Sequence, residues 1–237
     1  MKPEPIPSKA AWELEYENPQ LLTRADEPTK EFRDFVSWLR KEEGFHIEGK
    51  RVLDLGCGTG RNLLYLAERA HLTGIGVDIS HNALRIAKER SRAYEGVIEW
   101  VQHDLTTLSS LGDFGTFDVI IDSTTSHLFP REPREKLAKH CAAVLNPGGY
   151  LYMRTLTADG DRNAHNLMKE MPGPEPKSYV HPSLGVVEYM LTQKELEALY
   201  EPDLIIRHAR KYTGYQKWGA QSYKRRYVTL YLQKPHE

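Results

Sequence analysis

Val52-Leu53-Asp54-Leu55-Gly56-Cys57-Gly58-Thr59-Gly60 is the stretch on which the fold turns. Val52 to Leu55 suits a buried strand carrying one acid, three glycines follow at every second position, and Arg61 to about Ala70 reads as a helix. Strand, glycine turn and helix together bring a ligand against bare backbone at the end of a parallel strand. Glycine serves there because a side chain would fill the ligand's space and because such turns often demand positive φ. A dinucleotide fingerprint would need its third glycine at Arg61. The pattern here is G-x-G-x-G instead, with Asp54 two residues ahead of the first glycine. A carboxylate there repels a pyrophosphate, which seeks donors and the positive end of a helix. It suits a cationic ligand without phosphate.

Downstream, Thr73 to Asp78 reads as a second strand ending in an acid, and Ser80 caps a helix with Leu84 and Ala87 inward. Val97 to Val101 is a third strand, ending near Asp104, and Phe117 to Ile121 a fourth, ending at Asp122. A helix from Lys136 to Val144 and an Asn146-Pro147-Gly148-Gly149 turn lead into a fifth, Tyr150 to Thr155. Strands alternating with helices in this way require right-handed crossovers and a mostly parallel α/β sheet. Upstream, Phe32, Phe35, Val36 and Leu39 give a helix one apolar face. Residues 1–27 read as an arm anchored by Trp12, Leu14, Tyr16, Leu21 and Leu22. Prolines and glycines break the rhythm over residues 156–187, which reads as an insertion over the sheet's edge. Thr192 to Glu195 matches a capping box, and Leu204 to Ile206 and Tyr227 to Leu232 are the last strands. The expectation is a single domain, residues 1–237. It divides into an N-terminal arm and helix (1–45), a cofactor-binding core (50–155), an insertion or lid (156–187) and C-terminal strands (188–237).

Composition excludes several classes. With 40% hydrophobic and 27% charged residues a sizeable core is available, and a net charge of −1 implies no global electrostatic partner. Two cysteines, Cys57 and Cys141, are too few for a disulfide framework and point to a reducing, cytoplasmic setting. No apolar run reaches the roughly 20 residues of a membrane span, and no signal-peptide core follows Met1. No metal is called for.

Val52 to Gly60, with Asp78, Asp104-Leu105 and the Asn-Pro-Gly-Gly turn, resembles class I S-adenosylmethionine-dependent methyltransferases, well over residues 50–155 and loosely over the last two strands. Gly56 to Leu66 is similar in particular to tellurite-resistance-type and other small-molecule methyltransferases. The resemblance implies a Rossmann-like, seven-stranded, mostly parallel sheet with helices on both faces and an antiparallel last strand. It implies that Gly56, Gly58 and Gly60 let backbone approach the methionine moiety of the cofactor, S-adenosyl-L-methionine, and that Asp54 holds its amino group, directly or through water. Asp78 matches the acid that binds the ribose hydroxyls, with Ile79 against the adenine. Asp104 and Leu105 match the pair at the adenine amino group and ring. Asp122 stands where the active-site loop begins. Tyr16 and Trp12 resemble aromatic arm residues that close over the cofactor. Cys57, inside the turn, reads as chosen for size rather than as a nucleophile.

Methyl transfer is an in-line displacement, so the protein contributes mainly by alignment; a base is needed only for a protonated acceptor. His127, just past the fourth strand, is the candidate catalytic group, as acid–base or acceptor-orienting residue. Arg154, Tyr179 and His181 are candidates to line the acceptor pocket. The run after Asp122 lacks the Asp/Asn-Pro-Pro-aromatic signature of nucleobase amino methylation, so the acceptor is expected to be a small molecule. Leu204 to Lys234 has no acid, eight basic residues and interleaved aromatics, which suits an anionic or aromatic acceptor or, less strongly, RNA such as tRNA. An aminopropyltransferase-type enzyme and a non-catalytic cofactor-binding subunit are the remaining alternatives, and the oligomeric state stays open.

Overall fold

Alternation along the central strands divides the core in two. Leu53 and Leu55 of β1 (Arg51–Leu55), Ile120 of β4 (Phe117–Ser123) and Leu151 and Met153 of β5 (Leu145–Leu156) share one cluster with Leu137 and Cys141 of α5 (Arg131–Val144) and Leu196 of α7 (Gln193–Tyr200). Val52, Val119, Ile121, Tyr150 and Tyr152, one position out of step, pack on the opposite face. Their partners there are Phe32, Phe35 and Leu39 of α2 (Lys30–Lys41), Leu63 and Leu66 of α3 (Arg61–Ala67) and Leu84 of α4 (His81–Arg90). Helices therefore cover both faces, as parallel strands require.

The computed structural model describes residues 5–19, 27–218 and 221–236. The main sheet has the order β3-β2-β1-β4-β5-β9-β8, with β2 at Thr73–Asp78, β3 at Ile98–Gln102, β8 at Ile205–Trp218 and β9 at Gln221–Gln233. The pairs β3-β2, β2-β1, β1-β4 and β4-β5 are parallel, and β9 runs antiparallel to both β5 and β8. This is the expected seven-stranded sheet. Its strand order reverses beside β1, the switch point outside whose carboxyl end such sheets bind ligands.

Local signals place the helices. Ser80 accepts from the N–H of Ala83 at 3.2 Å, and Thr192 and Glu195 form the expected reciprocal capping box. Among the described residues no helix is long and apolar enough to cross a membrane.

Three segments differ from expectation. The arm is a helix, α1 (Ser8–Glu17), on which Leu14 is 59% exposed and anchors nothing; Leu21 and Leu22 lie outside the described residues. The insertion has structure of its own. It forms α6 (Arg162–Glu170), capped by Asp161, and a two-stranded sheet of β6 (Ser178–Val180) and β7 (Val187–Tyr189). Ala164, Leu167, Tyr179 and Met190 there pack against Leu156 of β5 and Tyr227 of β9. Finally, β8 and β9 are much longer than expected. Pairing of β9 with β5 stops at Leu156↔Tyr227, while β8 and β9 continue together to Trp218↔Gln221. The hairpin thus projects past the carboxyl end of β5.

Candidate active site

A cavity of about 530 Å³ lies at the carboxyl ends of β1, β2 and β3. Gly56 to Thr59, with Arg61 and Asn62 of α3, form one side. Asp78 and Ile79 after β2, Asp104 and Leu105 after β3, and Ser123 to Thr125, Leu128 and Phe129 after β4 form the others. Trp12 and Tyr16 of α1 complete it. Of the residues that sequence singled out, Tyr16, Gly56, Gly58, Asp78, Asp104 and their neighbours are brought to one place, whereas Asp54, Gly60 and Asp122 are not in the wall.

Gly56, Gly58 and Gly60 all have left-handed backbone, with φ of 64°, 55° and 79°. Their free sides differ. A Cβ on Gly58 would stand 2.6 Å from the Tyr16 hydroxyl, at the cavity. One on Gly56 would collide with the Thr125 side chain, whose hydroxyl donates to Leu55 O at 2.9 Å. One on Gly60 would collide with the Trp100 ring. Gly60 therefore makes room for the Trp100 ring, and unlike Gly56 and Gly58 it is not part of the cavity wall.

The acids play distinct parts. Asp54, 1% exposed, lies behind the turn; among the described residues neither carboxylate oxygen makes a hydrogen bond of normal geometry, although the Asn62 side chain is near enough to favour its charged form. Burial raises its pKa to about 8, against the opposing pull of Asn62 and Arg61, both of which reach the cavity. Asp78 accepts from Gly58 N–H at 2.8 Å through Oδ2 and from Ser80 N–H at 2.9 Å through Oδ1. Burial pushes it up, and those backbone donors oppose the shift. Asp104 accepts from the Thr106 N–H and hydroxyl through Oδ1, leaving Oδ2 for a ligand. Asp122 does not line the cavity. Its Oδ1 accepts from Thr125 and Ser126 N–H, both at 3.2 Å, and so shapes the loop that does. Cys57 lines the cavity, but burial beside Asp78 and Asp54 pushes its thiol well up, the opposite of a nucleophile's need.

His127 is turned away from the cavity. Its ring is buried, Nε2 lies 3.8 Å from Glu188 Oε1 of β7, and Nδ1 has no hydrogen-bonding partner among the described residues. Tyr179 and His181 are likewise buried outside the walls. Tyr179 donates to Glu188, and its hydroxyl accepts from Arg225 at 2.7 Å. The His181 Nδ1 accepts from Ser183 and Leu184 N–H. Arg225, with its side chain fully buried, also donates to Asp161 at 2.9 Å and to Gln216 at 2.6 Å. Burial pushes Glu188 up, but His127, His181 and Arg225 outweigh it and hold the carboxyl at about 2. Arg154 donates to the Tyr212 hydroxyl at 2.7 Å and lies over the Tyr227 ring, also outside the walls.

Sequence reasoning missed Thr124, Trp100 and the buried network. Thr124 lines the cavity with φ of 63°, held by its N–H to Arg154 O at 2.7 Å. Left-handed backbone at a β-branched residue costs about 1–3 kcal/mol and clusters at functional sites. Nothing local in Asp122-Ser123-Thr124-Thr125 announces it.

Known proteins resemble this chain in sequence and in fold. Residues 52–149 match the family model described as "Methyltransferase domain". Over 98 residues the chain is 39% identical to a 2-heptyl-1-hydroxyquinolin-4(1H)-one methyltransferase of Mycobacteroides abscessus, covering 41% of this chain and 42% of that protein. Over 162 residues it is 30% identical to a trans-aconitate 2-methyltransferase of Azoarcus sp., covering 67% of this chain and 57% of that one. The chain thus spans about half the length of the curated relatives it matches. A solved S-adenosylmethionine-dependent methyltransferase of Anabaena variabilis superposes with a TM-score of 0.70 at 21% identity, over 99% of this chain and 97% of that one, which shows a common fold. Over residues 52–149 the chain thus matches a methyltransferase domain, within a fold it shares with a solved S-adenosylmethionine-dependent methyltransferase.

Proposed function

We propose that the protein is an S-adenosylmethionine-dependent methyltransferase acting on a small molecule. The observation that carries this is Asp54, a buried carboxylate whose oxygens make no well-formed hydrogen bond among the described residues, set behind a cavity lined by Asn62 and by two further acids, Asp78 and Asp104. A cationic, phosphate-free ligand satisfies that arrangement, whereas a pyrophosphate would add repulsion.

Asp54 would answer the cofactor's ammonium, directly or through water, and Gly58 leaves backbone open to the methionine moiety. Asp78 retains lone pairs for the ribose hydroxyls. Ile79 and Leu105 would flank the adenine, with Asp104 at its amino group. When bound, the cofactor supplies an electrophilic methyl on a sulfonium. The chain's own contribution is alignment of the acceptor along Thr124, Thr125, Leu128 and Phe129. His127 braces this loop against β7 rather than taking a proton.

The apolar and aromatic rim of Leu128, Phe129, Trp12 and Tyr16 supports a planar or aromatic acceptor. Relatives named for a hydroxyquinolone and for trans-aconitate support a small molecule. An RNA acceptor has less behind it. Of the hairpin's basic residues, Arg207 pairs with Glu43, Lys211 with Asp159, and Arg225 is buried against Asp161. Two buried free thiols accord with a reducing, cytoplasmic setting. Incubation with S-adenosylmethionine and a panel of hydroxyquinolones, phenols and tricarboxylates tests the proposal. Acceptor-dependent release of S-adenosylhomocysteine is expected from one class; acceptor-dependent methylation of tRNA alone would overturn the small-molecule assignment.

A further inference from the structure

Apart from the half-buried Trp12 and Tyr16 on its cavity side, helix α1 buries little apolar surface. Its buried side chains are Ala11 and Glu15, and Leu14 faces solvent. A ten-residue helix is marginal by itself, so contacts elsewhere must seat it. One is at its leading end, where the Ile6 N–H donates to Gly185 O of the insertion at 2.9 Å. The other is Glu13. Its carboxylate accepts from the Ser80 hydroxyl at 2.8 Å, from His81 N–H at 2.8 Å and from Asn82 N–H at 3.0 Å, and its backbone carbonyl accepts from the Asn82 side chain at 3.1 Å.

These donors are the head of α4, where backbone N–H groups lack intrahelical partners and the helix dipole favours negative charge. Ser80 supplies only one cap from within α4, to Ala83. Glu13, far away in sequence, supplies the rest. The head of α4 also belongs to the cavity, because Ser80 N–H donates to Asp78 and Asp78 in turn accepts from Gly58. A continuous chain of hydrogen bonds therefore runs from Glu13 through Ser80 and Asp78 to the glycine turn. Three residues along α1 from Glu13, Tyr16 places its hydroxyl against that same Gly58.

We propose that Glu13 is a positioning residue for cofactor binding: by capping α4 it seats α1, and with it Trp12 and Tyr16, over the cavity. This rests on the cavity being the cofactor site. Glu13 touches no reacting atom and acts through those two aromatic residues.

The test uses the full chain and S-adenosylhomocysteine as probe. Glu13→Ala removes the acceptors. Glu13→Gln keeps the side-chain volume but turns an amide NH2 toward donors, and serves should the alanine variant not fold. Both are expected to weaken S-adenosylhomocysteine by about tenfold, the loss of roughly one charge-assisted contact. Amide exchange over residues 8–17 is expected to slow on ligand binding in the wild type and much less in either variant. Leu14→Ala, on the exposed side of α1, is expected to bind like the wild type. Unchanged affinity in both glutamate variants, or equal protection of residues 8–17, would overturn the role of Glu13 alone. A wild type that fails to bind the probe would remove the cofactor assignment and this role together.

Discussion

The backbone N–H of Gly58 donates to Oδ2 of Asp78 at 2.8 Å, so the glycine turn after β1 and the acid ending β2 are built as one unit. Removing the carboxylate disturbs the turn as well as the contacts reserved for a ribose. Asp78→Ala is therefore expected to weaken S-adenosylhomocysteine by roughly 2–3 kcal/mol, about 30- to 150-fold. Asp78→Asn, which still accepts through one oxygen, should lose less. Isothermal titration of both variants checks the order.

Asp54 makes binding of a cation depend on pH. Its pKa of about 8 lies above that of a carboxylate in an unfolded chain. The folded protein without ligand thus holds the proton more tightly, and this group's contribution to stability is lost as pH rises from about 4 towards 8. A bound ammonium reverses the preference and expels the proton. Between about pH 6 and 7.5, affinity for S-adenosylhomocysteine is expected to rise nearly tenfold per pH unit, with proton release visible as a buffer-dependent enthalpy. Asp54→Asn should flatten that slope. It should also stabilise the ligand-free protein at pH 8 by on the order of 2 kcal/mol, because a buried charge without a well-formed hydrogen bond is gone.

Glu188 titrates the other way. Held at about 2 by His127, His181 and Arg225, it contributes stability that is complete above about pH 4.5 and is lost as pH falls through 2. Glu188→Gln leaves Arg225 and His127 short of a buried partner and is expected to destabilise the protein by roughly 3 kcal/mol near neutrality. Urea unfolding from pH 7 to 3 should show the variant with a shallower acid limb than the wild type.

His127→Ala separates bracing from base catalysis. Because its ring faces Glu188 and not the cavity, turnover with an identified acceptor should fall less than about tenfold, with the pH profile unmoved. A loss of about 100-fold or more, with disappearance of one pH limb, would make His127 a general base instead.

Gly60 gives a contrast within the glycine turn. Gly60→Ala meets both a φ of 79° and the Trp100 ring, so the expected loss is of fold stability, roughly 2–4 kcal/mol by thermal or urea unfolding.

What could be read in the sequence was what is local. The two-residue alternation in Val52 to Leu55 and Phe117 to Ile121, and the acids closing β2 and β3, carry the sheet and the cavity's edge because strand, turn and site lie within one short window. The cap at Ser80 and the box at Thr192 and Glu195 were legible for the same reason. Glu13 on the head of α4, Trp100 against Gly60, and Arg225 between Asp161 and Glu188 join residues tens of positions apart and leave no periodic trace. Arg225 also shows why charge runs mislead: in a basic stretch its burial depends on acids contributed by the insertion, and composition alone makes it look like surface.

The most direct test of the central claim is titration of the wild-type protein with S-adenosylhomocysteine, with NADH as the comparison ligand. Saturable one-to-one binding of S-adenosylhomocysteine, weakened about 30- to 150-fold in Asp78→Ala and tightening as pH rises towards the Asp54 pKa, is the expected result. Binding of NADH with no measurable binding of S-adenosylhomocysteine would contradict it.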